Sequence, residues 1–218
     1  MAKKDKNKIV ENNPNWQEIY IAFVLEKNRK PSSIYELTQF AEQEESEFYQ
    51  AFSSLESIES AFWLEQFQNT RSQIENDTQY QGFSVREKLL AFAFTWLENL
   101  EQNRAFIMVL KNNVKMKSLK TLEDFKNSFE DFAQELINEA LETEEVLNRT
   151  FLNKAYPKAM WGTIMYILGF WLKDTSPNFE QTDAAVEKSV NFFFDLTGRT
   201  FLDSFADFAK FSFQSFKK

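Results

Sequence analysis

Residues 31–66 read PSSIYELTQFAEQEESEFYQAFSSLESIESAFWLEQ, and the order of caps and apolar positions in this stretch decides the fold. Ser33 with Glu36 and Ser53 with Glu56 are S-x-x-E pairs, the signature of a capping box. In such a box the hydroxyl accepts from an orphan amide near the helix start and the carboxylate reaches back to the cap. Two helix starts are thereby marked. Ile34, Leu37 and Thr38 give the first helix one apolar face, and Phe48, Tyr49 and Phe52 give a second short helix its own. A third begins at Ser54 and continues through Ile58, Phe62, Trp63 and Phe67 to about Ile74. Two short helices followed by a longer one is the order a helix-turn-helix needs.

Upstream, Asn13 followed by Pro14 predicts an N-cap with proline at the first helical position. That helix runs to about Asn28, with Trp16, Ile19, Ala22 and Phe23 on its inner face, and Lys27 to Pro31 breaks it. The chain therefore divides into a basic tail over 1–12, a small helix-turn-helix domain over 13–56, and a larger helical domain over 57–218.

The spacing of Ser33, Leu37, Ala41, Phe48-Tyr49, Phe52 and Ser54-Leu55-Glu56 resembles the N-terminal DNA-binding motif of the TetR family of bacterial regulators. Two positions depart from that pattern: Glu42 stands where members usually carry the turn glycine, and Leu55 where they carry the lysine of Ser-Lys-Glu. The resemblance implies that Ser33, Ser46 and Tyr49 face DNA. It also implies that the helix from Ser54 to Ile74 is the lever joining a ligand site to the DNA-binding unit.

Charge tests the DNA reading, because Lys and Arg at phosphates supply most of the affinity. Residues 31–70 hold no Lys, Arg or His, against eight acids: Glu36, Glu42, Glu44, Glu45, Glu47, Glu56, Glu59 and Glu65. One glutamate in a recognition helix can accept from cytosine N4, but Glu44, Glu45 and Glu47 together oppose tight binding. The available cations lie upstream. Lys3, Lys4, Lys6 and Lys8 form the tail, and Lys27, Arg29 and Lys30 close the first helix. The tail reads either as an arm for phosphates or a minor groove, or as a solvated leader.

The downstream sequence continues as helices. Ser84 to Glu87 is a third capping box, opening a helix with Leu89, Phe92, Ala93, Trp96 and Leu100 on one face. Arg104 to Val114 is short and apolar, followed by a basic connector with Lys111, Lys115, Lys117 and Lys120. Leu122, Phe125, Phe129, Phe132 and Leu136 mark the next helix. Another runs from Val146 or Thr150 to Lys173, and a last one from Glu180 or Asp183 through Phe194 to Phe208.

Composition agrees with an all-α fold of about nine helices. Four Gly and four Pro in 218 residues leave few helix breakers. With no Cys and no His, thiol nucleophiles, serine-histidine triads, disulfides and histidine or thiolate metal sites are excluded. Glu123-Asp124 and Glu130-Asp131 could pair as acid and base, but among 33 acids on helix faces a solvated surface explains them. No enzyme, cofactor or metal is expected. The net charge of −8 disfavours DNA or an anionic membrane as the main partner. The longest apolar run, Trp161 to Leu172, is about 12 residues against the ~20 a span needs. No apolar signal segment follows the first residues, and a cysteine-free chain of this kind is expected in the cytoplasm.

A second resemblance covers residues 160–196, MWGTIMYILGFWLKDTSPNFEQTDAAVEKSVNFFFDL, which is similar to the C-terminal region of a TetR-like subgroup with a tryptophan-rich helix. It implies a homodimer built on the last two long helices. Ala155, Ala159, Gly162 and Gly169 line one side of the first of these with small residues, while Val186, Val190 and Phe193 mark the second. The small residues suit either a dimer seam or close packing within the chain. The family fold also places Phe92, Trp96, Phe125 and Phe129 with Trp161, Met165, Tyr166 and Phe170 around a ligand cavity. Thr95, Asn99 and Thr163, with Tyr166, are the polar groups available to orient a ligand there. The alternative is a filled aromatic core.

Two functions follow. One is a TetR-like homodimer that binds a small apolar, lipid- or isoprenoid-like ligand with little DNA contact. The other is a ligand-responsive DNA-binding repressor.

Overall fold

Asn15 starts the first helix, its side chain accepting a hydrogen bond from the Glu18 amide at 3.3 Å. The start is therefore later than Asn13-Pro14 suggests. The computed structural model describes residues 14–112, 120–149 and 152–198. Among these it holds nine α-helices and no strand. They are α1 (Trp16–Lys27), α2 (Ile34–Phe40), α3 (Glu45–Ala51), α4 (Leu55–Glu75), α5 (Val85–Glu101), α6 (Arg104–Asn112), α7 (Glu123–Glu142), α8 (Tyr156–Trp171) and α9 (Glu180–Thr197).

The caps explain most boundaries. Ser33 caps α2 through the Glu36 amide, but the Glu36 carboxylate turns to Ser32 and Arg29 instead of completing a box. α4 opens one residue later than the Ser53–Glu56 pair suggests, with Ser54 and Ser57 capping each other reciprocally. The Ser84–Glu87 box forms as the sequence indicates. α8 begins at Tyr156, not at Val146 or Thr150. Residues 146–149 are irregular, a single 3-10 turn covers Asn153–Ala155, and Pro157 sits in the first turn of α8, where its missing N–H costs nothing. The α1 face also differs: Trp16, Tyr20, Phe23 and Val24 are buried, whereas Ala22 is exposed.

α4 packs on α5 and α7, α8 on α7 and α9, and α9 on α5, forming the helical body. α1 rests on α4 and α6 and links the helix-turn-helix unit to it. Charged side chains close three helix ends by matching the sign of the helix dipole. Glu145 accepts from the Val85 and Arg86 amides at the start of α5, at 2.9 and 3.1 Å. Arg149 donates to the Thr197 and Gly198 carbonyls at the end of α9, each at 3.1 Å. Arg104 donates to the Trp171 and Asp174 carbonyls beyond α8 and lies over the Trp171 and Phe179 rings. Among the described residues no helix is long and apolar enough to cross a membrane.

Candidate functional site

The helix-turn-helix is held by aromatic contacts. Phe48 of α3 is fully buried and meets Trp16 of α1 edge-on at 5.2 Å. Glu42, at the position of the expected turn glycine, adopts the left-handed conformation with φ 53°. Ser46 and Tyr49 are exposed on α3.

The described cations of this unit are all engaged within the chain. Lys27 pairs with Glu26 at 2.7 Å. Arg29 pairs with Glu36, whose carboxyl is held down at about 2, chiefly by that guanidinium and then by Ser32. Lys30 pairs with Glu59 of α4. Lys3, Lys4, Lys6 and Lys8 lie outside the described residues.

Glu59 is the buried end of a three-membered joint. The Tyr20 hydroxyl of α1 donates to its Oε1 at 2.6 Å, and the Lys30 ammonium lies 2.7 and 2.8 Å from its two oxygens. Burial, reinforced by the Glu59 charge, pushes the Tyr20 hydroxyl far up and keeps it a donor. α1, the α1–α2 connection and α4 are thus tied at one carboxylate. Sequence pattern misses this joint because it spans 39 residues of separation and Glu59 reads as one acid among many.

The expected ligand set divides in two. Phe92, Trp96, Phe125 and Phe129 are wholly buried, with Trp96 5.2 Å from Phe125 and Phe92 5.3 Å from Phe129. Trp161 seals them, 4.9 Å from Phe125 and 5.8 Å from Phe129. These five interlock as core. Met165, Tyr166 and Phe170 instead face an open groove of about 430 Å3 near the end of α8, shared with Gly169 and Lys173. Two of the four polar candidates are occupied locally: Asn99 donates to Thr70 and Gln73, and Thr163 to the Ala159 carbonyl.

A larger groove of about 620 Å3 runs between α8 and α9, over Ala159, Gly162, Tyr166, Phe192 and Phe193. Phe192 is 66% exposed and Tyr166 57%. Ala155 is exposed beside it, whereas Val186 and Val190 are fully buried within the protomer. The exposed side of α9 thus rests on Phe192 rather than on those two valines.

Residues 88–211 match the family described as "Tetracyclin repressor-like, C-terminal domain". The chain belongs to the tetracycline-repressor-like family. Two solved structures share the TetR-like fold. One is a Clostridium perfringens protein provisionally named a fatty acid metabolism regulator, 16% identical with a TM-score of 0.55, covering 83% of this chain and 96% of that one. The other is a protein of unknown function from Rhodococcus sp. RHA1, 11% identical with a TM-score of 0.51, covering 88% of this chain and 100% of that one. No curated protein matches the sequence. The TetR-like match begins in α5, so the helix-turn-helix lies outside it. Among the described residues no group of acids is placed to hold a metal ion.

Proposed function

We propose that this TetR-like chain works as a cytoplasmic homodimer that binds a small, largely apolar ligand, and that its helix-turn-helix makes few phosphate contacts. The observation that carries this reading is the charge state of the DNA-facing unit. Lys30 is tied to the buried Glu59, Lys27 and Arg29 sit beside Glu26 and Glu36 at the surface, and Glu44, Glu45 and Glu47 crowd the start of α3. A surface of that sign repels a phosphate backbone. The exposed apolar groove between α8 and α9 supports the homodimer, since a second copy laid antiparallel would cover Tyr166 and Phe192 of both protomers.

The second reading, a DNA-binding repressor, is favoured by Ser46 and Tyr49, which are exposed on α3. Binding of the dimer to random-sequence and own-promoter DNA across a salt series separates the two. No binding near physiological salt supports the ligand-binding reading. Sequence-selective binding with a steep salt slope, lost when residues 3–8 are removed, replaces it with the repressor.

A further inference from the structure

A small cleft of about 190 Å3 lies where the α1–α2 connection meets the body. Its apolar walls include Trp63 of α4, Leu110 of α6 and Leu168 of α8, and its charged groups are Lys30, Glu59 and Lys111. Glu59 is already satisfied, with Tyr20 on Oε1 and the Lys30 ammonium against both oxygens. Lys30 donates to Oε2 at 2.8 Å and keeps donors to spare. Lys111 makes no ion pair among the described residues. One carboxylate against two ammoniums leaves the wall net positive.

The geometry points to this cleft as the binding site of a small monocarboxylate with a short apolar tail. The carboxylate takes Lys111 and a further Lys30 donor, and the tail lies along Trp63, Leu110 and Leu168. The assignment rests on the proposed ligand-binding reading and gives that ligand a class and a place. Size limits the tail: about 190 Å3 is the liquid share of roughly six waters at ~30 Å3 each, and a methylene takes about the room of a water. Lys30 belongs to the helix-turn-helix unit and Leu168 to the body, so an occupant is gripped by both and fixes their relative position.

The test is titration of the full-length protein with butanoate, hexanoate, octanoate and dodecanoate, followed by calorimetry and by the fluorescence of Trp63 in the cleft wall. Affinity is expected to rise about fourfold per methylene and to level off near hexanoate, when the cleft is full. Octylammonium, with the same tail and the opposite charge, should not bind over the same range. Lys111→Glu should weaken octanoate at least about tenfold, and Leu168→Trp, which fills the cleft, should abolish binding. Lys111 is only partly buried, so its variant is expected to fold, as its melting curve will show. Equal binding of octylammonium, an affinity unmoved by Lys111→Glu, or no octanoate binding at millimolar concentration each overturns the assignment. Native mass spectrometry of freshly purified protein separates this failure from that of the wider reading. A co-purified apolar ligand still retained by Leu168→Trp leaves ligand binding standing and removes it from this cleft.

Discussion

The Lys30 ammonium and the Glu59 carboxylate lie 2.7 Å apart where α1, α2 and α4 meet, with the Glu59 side chain 4% exposed. Removing one partner of a buried pair leaves the other charge desolvated and alone, which costs more than the pair contributes. Glu59→Ala is therefore expected to cost about 3 kcal/mol, since it also strands the Tyr20 hydroxyl. Glu59→Gln, which keeps an acceptor for Tyr20, should cost less. Urea unfolding of the two variants at constant m-value measures both, and equal costs would show that the Tyr20 bond is immaterial.

Phe92 packs against rings from α4, α5 and α7, so truncating it opens a hole that rigid neighbours cannot close. Phe92→Ala should lose about 4 kcal/mol. Trp96→Phe should lose less than half as much, because the Trp96 indole N–H finds no acceptor among the described residues and its removal relieves a cost. A Phe92→Ala loss below about 1 kcal/mol in denaturant melts would mean that these rings enclose space instead of filling it.

Asp174 organises the turn between α8 and α9. Its carboxylate accepts from the Thr182 hydroxyl at 2.6 Å and amide at 2.9 Å, and from the Ser176 hydroxyl at 2.7 Å and amide at 2.8 Å. These bonds, the Thr182 hydroxyl foremost, bring its pKa down to about 2. An unfolded aspartate titrates near 4, so as pH falls the unfolded chain takes up the proton first. The stabilisation is complete above about pH 4 and disappears on the way to about pH 2. The difference in thermal midpoint between wild type and Asp174→Asn should accordingly be largest near neutrality and shrink through that window. A gap that stays constant from neutrality to pH 2 would contradict it.

Gly162 is exposed in mid-helix, and a Cβ placed there meets nothing within 4 Å in the protomer. Gly162→Ala should stabilise an isolated protomer by about 0.5–1 kcal/mol through helix propensity alone. If a partner helix lies against this face, the added methyl group weakens the dimer instead. Phe192→Glu should dissociate the dimer with little effect on protomer folding, its ring being mostly exposed. Sedimentation equilibrium on both variants decides, and a monomeric wild type would remove the dimer altogether.

Much of the architecture is legible in the sequence because it is written in short-range signals. The Ser84–Glu87 box, the α5 face through Leu89, Phe92 and Trp96, and the α7 stripe through Phe125 and Phe129 depend only on helical spacing. Boundaries shift by a residue where two serines compete, as at Ser53 and Ser54, since either hydroxyl can cap and only packing chooses. The site is harder to read. Aromatic spacing marks burial but does not distinguish rings that surround a ligand from rings that touch one another. The Lys30–Glu59–Tyr20 joint and the cleft beside it draw on residues distant in the chain, and no local periodicity brings them together. Charge was more informative: the acidic start of α3, evident from composition, stands in the structure with its neighbouring cations already paired.

Phe67 lies within 5.8–6.4 Å of the rings of Phe92, Phe125, Phe129 and Phe132, which pins the middle of α4 to the body. Along a straight helix Glu59 is about 12 Å from that point and Ser54 about 20 Å, at ~1.5 Å per residue. The grip does not stop there: Trp63 stacks on Phe125 at 6.5 Å, and Ser60 donates to Asp124 of α7 at 2.7 Å. Only the stretch from Ser54 to Glu59 extends beyond it, about 9 Å at ~1.5 Å per residue, so a tilt of about 5° there carries Ser54 less than about 1 Å. A larger swing of the helix-turn-helix has to shift α7 with it.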